Sequence, residues 1–435
     1  GNYRLGVHIA DVSYYVKAGS PLDKEALKRG NSVYLLDRVI PMLPHELSNG
    51  ICSLNPNVDR LTMTVFMEIN KDGKVVNNEI HESIINSKAR LIYDDVSDLL
   101  EGTDSRAEEK LNLIKDELFM MKELMGILRE HRDRRGSIDF DFPESYIEVD
   151  KNGDPIDVRK SERRIANRLI EEFMLITNET VAERFFWAEI PFLYRIHEDP
   201  NPEKVADFIK FIQRFGYSIK GKELHSKDFQ LLTAEIKGKK EEPVISTLLL
   251  RTMQKAVYSA EAGIHFGLAA QYYSHFTSPI RRYPDLEIHR IIKDYLHGRL
   301  TDKKMNLLEK ILPEIAEQTS MTERRAEEAE REVDDLKKAQ YMVKHIGDEF
   351  DGLVSSVTNF GLFVQLENTI EGLVHFNTMV DDYYYFDEEN YMIVGERTKK
   401  MYGLGDEVRI KVIGADVGKK NIDFALVNED VDSKS

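Results

Sequence analysis

Residues 263–290 read GIHFGLAAQYYSHFTSPIRRYPDLEIHR, and the breaks inside this stretch divide the chain around it. The Ser278-Pro279 step stops any helix before it, because proline disfavours the αR conformation at the preceding residue. Arg281 and Arg282 follow at once, and Tyr283-Pro284-Asp285 opens a new helix. Arginine is a planar, permanently charged fork that can grip a phosphate with two hydrogen bonds. A pair held in a proline-bracketed loop at a helix start suits an anion. A surface loop with two solvated arginines would satisfy the same pattern, so the stretch by itself leaves both readings open.

Toward the N-terminus the first hundred or so residues are β-rich. Thr62–Ile69, a Gly73-containing turn and Lys74-Val75-Val76 read as a hairpin. Apolar residues at helical spacing from Leu111 to Leu128 predict one amphipathic helix over 104–131. Asn152-Gly153 marks a second hairpin between Tyr146–Val149 and Ile156–Val158, and a long helical run follows over Ser161–Trp187. Further helices are expected near 203–215, 243–260, 285–297 and 304–345, the last of them charge-dense. Past Gly347 the pattern returns to short strands, Phe350–Val357, Gly361–Gln365, Gly372–Phe376 and Glu407–Ile413. Five or so strands in so short a span suggest a small five-stranded OB-fold barrel. The expectation is an α+β chain: a mixed helix/sheet domain over 1–345, the barrel over 346–427, and a disordered tail over 428–435.

Composition bounds the function. With 42% hydrophobic and 31% charged residues, the 435-residue chain is of globular type and long enough for a large core. No stretch approaches the ~20 apolar residues of a membrane span, and no signal-peptide pattern opens the chain. Cys52 is the only cysteine, which excludes a disulfide framework and a cysteine-based zinc site and favours a reducing cytoplasm. A net charge of −17 lowers the odds of nonspecific coating of nucleic acid. It leaves room for a polyanion in one positive channel, and divalent cations need carboxylates in any case. Gly1-Asn2 leads straight into an apolar strand pattern without an initiator methionine, so the chain is expected to be a piece of a longer protein.

Several blocks carry a resemblance. GVHIAD at Gly6–Asp11, Gly19-Ser20-Pro21-Leu22-Asp23, Ser32-Val33-Tyr34, Ile40-Pro41-Met42-Leu43-Pro44 and Leu47-Ser48…Cys52-Ser53-Leu54 occur in that order. Arg164–Glu172 and His275–Asp285 complete the set. Together they resemble the catalytic domain of the ribonuclease II/ribonuclease R (RNB) exoribonucleases, and Phe192–Pro200 is closer to the ribonuclease R branch. Val357–Val364 and Glu371–His375 resemble the S-one RNA-binding motif. The resemblance implies a processive 3′→5′ hydrolytic exoribonuclease that degrades single-stranded and structured RNA to nucleoside 5′-monophosphates. It implies a cytoplasmic monomer using Mg²⁺. The family's metal-binding aspartates lie in a segment that would precede Gly1, and Asp11 does not match a ligand position. A non-catalytic RNA-binding relative that keeps the channel is the alternative.

Residue by residue, the resemblance implies catalytic roles for Arg281, at the scissile phosphate, and Glu171, near the last nucleotide. Glu171 could equally form an ordinary helix pair, since Arg168 and Glu172 also stand at i,i+4 spacing. Tyr34 and Phe140 match aromatic positions that sandwich the 3′-terminal bases; stacking reads no sequence, because every base has a π-face. Both could instead be core. Tyr93, Glu330 and Arg282 complete the expected RNA contacts, with solvent exposure the bland reading of Glu330. In the barrel, Phe360, Phe363 and His375 match the RNA-stacking face, and the phenylalanines could alternatively fill the barrel. His8, His265, His275 and His289 lack a zinc spacing and read as structural. No phosphate-binding GxxxxGK[ST] loop is present.

Overall fold

The alternation Met63, Val65, Met67, Ile69 buries one face of the strand Asp59–Ile69 completely. That strand is central in a three-stranded antiparallel sheet, flanked by Tyr3–Ala10 and Val75–Asn86. At the hairpin turn, the Asn70 side chain accepts hydrogen bonds from the backbone of Asp72 and Lys74. The computed structural model describes residues 1–139, 144–219, 224–239, 241–387 and 391–427. Phe140 and the expected disordered tail 428–435 lie outside the described residues.

Helices pack against this sheet in the largest of three apolar cores. The helix expected over 104–131 is interrupted. Ser105–Leu111 gives way to a 3₁₀ turn at Asn112–Ile114, and Lys115–Arg135 follows. Asn112 is a poor helix-interior residue, and Leu113 is 96% exposed, so packing does not hold the turn in register. Ile165–Trp187 buries Leu169, Phe173, Val181 and Phe185 in the same core, and Tyr283–Leu296 buries Leu286, Ile288 and Ile292.

A second core lies among Pro202–Gln213, Ser226–Ile236 and Glu242–Thr252, around Phe208, Phe229 and Leu249. The middle helix lay in no expected element. The helix expected over 243–260 stops at Thr252; Val257–Ser259 is instead a strand paired with Tyr194–Ile196. Valine and tyrosine favour the pleated conformation there.

The helix Asp302–Val343, called the long helix below, runs through Pro313 and leads to the barrel. Five strands close that barrel: Glu349–Thr358, Gly361–Leu366, Glu371–His375, Glu407–Asp416 and Asn421–Leu426. Its core also takes Ile147 and Val158 from the hairpin Ser145–Val149/Pro155–Lys160, and Ala339 and Met342 from the long helix. Between the third and fourth barrel strands the chain inserts a three-stranded sheet, Tyr384–Asp387, Met392–Gly395 and Met401–Gly403, which the strand pattern did not reveal.

Two features set the stability of the larger part. Arg132 and Glu172, 5% and 3% exposed, form a two-pronged ion pair with bonds of 2.7 and 3.2 Å, and Arg132 also donates to Ser137. Removing one partner leaves a buried charge uncompensated, so Glu172→Ala is expected to cost about 3–5 kcal/mol in denaturant unfolding. Replacing both groups by apolar residues should cost less than Glu172→Ala alone.

The second feature is a set of histidines held neutral. Burial lowers the pKa of His197, His275 and His289, and pulls His265 down to about 3. The unfolded chain protonates these rings near pH 6.5, whereas the folded chain does so only at lower pH. Between those limits the unfolded state binds more protons. Stability is therefore complete above about pH 6.5 and is lost progressively as the pH falls below it. Thermal midpoints measured from pH 7 to 5 should fall, and less steeply in His265→Gln. An equal slope in that variant would exclude His265 as a contributor.

Candidate functional site

The arginine loop is organised by one carboxylate. Asp285, fully buried near the start of the helix Tyr283–Leu296, accepts the Ser278 N–H at 2.7 Å. It also receives both prongs of Arg282, Nη2 at 2.7 Å and Nε at 2.8 Å. Two nitrogens of the Arg282 fork are thus engaged inside the loop, which fixes the side chain that was expected to contact RNA. Arg281 differs. It is exposed, and among the described residues its guanidinium has no hydrogen-bond or ion-pair partner.

A strap of Gly30, Asn31 and Ser32 runs along the loop. The Ser32 N–H donates to the Arg281 carbonyl at 3.0 Å, and the Tyr283 N–H to the Gly30 carbonyl at 2.8 Å. Gly30 sits at φ +71°, and a Cβ there would lie 1.9 Å from Thr322 Oγ1 on the long helix. Only glycine lets the strap wedge between loop and helix. Two residues on, the Tyr34 N–H donates to Glu330 Oε1 at 2.7 Å.

These contacts enclose a cleft of about 200 Å³, lined among others by Asn31, Tyr34, Arg281, Arg282, Glu327 and Glu330. Four expected residues therefore meet in one place. Tyr34 is 49% exposed and available for stacking rather than built into the core. Glu330 is not an idle solvent-facing residue; it anchors the strap. Asn31 and Glu327 were missed, and nothing in their local spacing marks them.

Glu171 does not line this cleft. It is ion-paired with Arg163, which also contacts Asp139, and Arg129 reaches the same aspartate. Burial works to raise the Asp139 carboxyl, but the charges of Arg129 and Arg163 prevail and hold it below the usual carboxylate range. Tyr93, 51% exposed, begins the helix Tyr93–Glu101. That helix is tied to the Glu171 helix by Arg164, which bonds Asp98 and Glu101 at 2.7 Å each.

On the barrel, Phe360 and Phe363 meet edge to face, their ring centroids 6.1 Å apart. Leu362, Val364, Val374 and Phe424 fill the interior, so the two phenylalanines are not its core. Both line a groove of about 410 Å³ between the barrel and the long helix. His375 does not line that groove; its Nδ1 accepts the Asn377 N–H and caps a short turn.

The remaining polar candidates are engaged within the protein. His8 bonds Thr64, His275 bonds Tyr258, His289 bonds the Phe276 carbonyl, and His265 accepts the Leu268 N–H. Asp11 pairs with Lys293 at 2.5 Å. Among the described residues no three His, Cys, Asp or Glu side chains converge in a way that could hold a metal ion. The side chains described here therefore do not fit a metal centre.

Residues 1–298 match the RNB domain and residues 344–426 the S1 RNA binding domain. The chain is 49% identical over 434 residues to ribonuclease R 1 of Lactococcus lactis, covering 99% of the chain and 53% of that protein. It is 48% identical over 435 residues to ribonuclease R of Thermotoga maritima, covering 99% of the chain and 61% of that protein. A solved structure of Mycoplasma genitalium RNase R in complex with ribose methylated single-stranded RNA superposes with a TM-score of 0.91 at 32% identity. That match covers 98% of this chain and 67% of the other. The chain thus spans little more than half the length of the curated relatives it matches.

The strap makes a prediction that needs no substrate. Gly30→Ala introduces both a disfavoured backbone conformation and a clash with Thr322, and should destabilise the fold by about 1–3 kcal/mol in denaturant unfolding. Unchanged stability would show that the strap is free to lift away from the long helix.

Proposed function

The chain belongs to the RNB family, with an S1 RNA binding domain behind its RNB domain, and on that premise we propose that it forms part of a 3′→5′ hydrolytic exoribonuclease. The substrate is single-stranded RNA, and structured RNA entered from a single-stranded 3′ end, released as nucleoside 5′-monophosphates. One observation carries this reading. In a cleft built from a loop, a strap and the long helix, Arg281 presents a guanidinium unpaired among the described residues, beside the half-exposed ring of Tyr34.

The residues divide the work. A phosphate seated against Arg281 gains negative charge as water adds, and a fixed cation stabilises that charged state more than the ground state. Tyr34 stacks on a terminal base, with Phe140 as its counterpart. Glu330 holds Tyr34 in place through its backbone, and Arg282 keeps the loop shaped so that Arg281 points outward. Glu171 and Tyr93, on their locked pair of helices, receive the ribose of the last nucleotide. Phe360, Phe363 and His375 belong to the barrel's RNA face. Mg²⁺ enters this proposal only with ligands from outside the described residues.

No helix among the described residues is long and apolar enough to cross a membrane, and a cytoplasmic enzyme is the reading that fits. Relatives at 48–49% identity carry the name ribonuclease R, which weighs against a binding-only protein.

The test uses the intact protein, Mg²⁺ and labelled single-stranded RNA. Arg281→Ala should lower turnover roughly 100- to 1,000-fold, with a smaller change in RNA affinity. Mononucleotide release at the wild-type rate in that variant would remove Arg281 from the reaction. A wild-type protein that binds RNA and releases no mononucleotide would restore the binding-only reading.

A further inference from the structure

The barrel is attached to the rest of the protein at two places, and the two are built differently. At the first, Ile147, Val158, Ala339 and Met342 enter the barrel core, so the hairpin, the long helix and the barrel share one interior. Lys337 and Lys344 of the long helix reinforce this joint, donating to the Gly153 and Pro155 carbonyls of the hairpin at 2.6 and 2.9 Å. The second place is the turn at Leu404-Gly405, directly after the inserted sheet. The Gly405 N–H donates to the Val354 carbonyl at 2.8 Å and the Val354 N–H to the Asp406 carbonyl at 2.9 Å, which pins the turn to the first barrel strand. Leu404 packs against the barrel core and also against the separate core of the helices between 202 and 252; no other hydrophobic residue among those described belongs to both. Gly405 has φ +84°, and a Cβ there would lie 2.8 Å from Val244 Cγ2 on the helix Glu242–Thr252. Positive φ and close approach both call for glycine. Tyr391, in the same insertion, meets Phe211 edge to face at 5.9 Å.

This second contact completes a ring. The helix Glu242–Thr252 leads to Tyr258, which lines the arginine cleft and whose N–H donates to the Ser320 hydroxyl of the long helix at 2.9 Å. From Ser320 the long helix spans roughly 33 Å to Met342 in the barrel core. The barrel, the turn and Val244 close the circuit. The ring is not equally strong all round. Parting the hairpin and long helix from the barrel would open a shared interior, whereas Leu404, Gly405 and Tyr391 can leave Val244 and Phe211 without stranding a charge or a buried polar group. We infer that the turn is a clasp: it opens while the shared core holds, and when closed it retains an RNA strand seated in the arginine cleft. The retention role rests on the RNA reading of that cleft; the clasp itself does not.

A cross-link tests it. A Cβ on Gly405 would lie 3.9 Å from Val244 Cβ, within the roughly 3.5–4.5 Å range of a disulfide. Cys52, the only cysteine of this chain, is buried. The intact protein carrying Val244→Cys and Gly405→Cys, treated with oxidised glutathione, should form that bond, seen as the loss of both introduced thiols. Dissociation of a fluorescent oligoadenylate, chased with unlabelled RNA in the absence of divalent metal, should then slow roughly tenfold and recover on reduction. Leu404→Ser loosens the clasp without a cross-link. It should speed dissociation roughly threefold to tenfold and leave release of the first mononucleotide per bound RNA, measured with Mg²⁺, unchanged. Thiols that stay free would overturn the clasp, and a disulfide that leaves dissociation unchanged would overturn retention. An oligoadenylate that does not bind the reduced protein would instead overturn the RNA reading of the cleft.

Discussion

A carboxylate buried at the head of a helix must be neutralised, and the way Asp285 meets that requirement shapes everything around it. Desolvating an ionised group costs several kcal/mol unless a partner and hydrogen bonds replace water. Arg282 and the Ser278 N–H supply them, and in doing so close the loop from 278 to 285 into one conformation. From the other side, Tyr283 and Arg290 converge on Asp23, with Arg290 also paired to Glu287. The helix that begins at Tyr283 is therefore held on one flank by the Arg282–Asp285 pair in its first turn and on the other by Tyr283 and, two turns on, Arg290. Arg281 stands between them without a partner among the described residues, on a frame with little freedom to move. Such preorganisation lets a single cation act on a transition state without reorganising when charge develops.

The long helix plays the complementary part. Thr322 receives the strap at Gly30, Glu323 holds Arg195 at 2.5 Å, Glu330 holds Tyr34, and Lys338 reaches the barrel groove. One continuous element thus sets the spacing between the arginine cleft and the barrel. Its charge density read as a solvated face in sequence, and for many of its residues it is one. The face turned inward is different, because its charges are used one at a time by separate pieces of chain.

How much of this was legible depended on the range of the interaction. Period-two and helical spacing located the hairpin around Gly73, the run ending at Trp187 and the barrel strands, since those patterns report local geometry. The inserted sheet between Tyr384 and Gly403 escaped because its strands are only three or four residues long. Ser226–Ile236 was missed although Phe229, Leu232 and Ile236 stand at helical spacing; flanking residues of mixed character hid the period. At the site, the family blocks brought out Tyr34, Arg281, Arg282 and Glu330. Spacing could not say which arginine was committed. The three-residue step from Arg282 to Asp285 was visible, but only burial makes that carboxylate demand a partner. Glu172 illustrates the same limit: its partner is Arg132, forty residues upstream, where no local rule reaches.

The acidity of the chain follows from the same division of charge. Several cations near the site are neutralised: Arg282 by Asp285, Arg290 by Asp23 and Glu287, Arg195 by Glu323, Lys293 by Asp11 and Glu82. In the cleft, Arg281 shares the wall with Glu327 and Glu330, so a polyanion is opposed on the long-helix side and drawn to one point. Interactions this close are screened little by salt. A cleft of that kind cannot bind RNA tightly through charge. It can fix where a phosphate stops, because displacement from Arg281 brings the phosphate toward a carboxylate. Affinity must then come from surfaces that do not depend on charge, and an exposed tyrosine against a base is such a surface. Register set by one arginine and grip supplied by stacking is an arrangement that a basic channel, attractive along its whole length, would not provide.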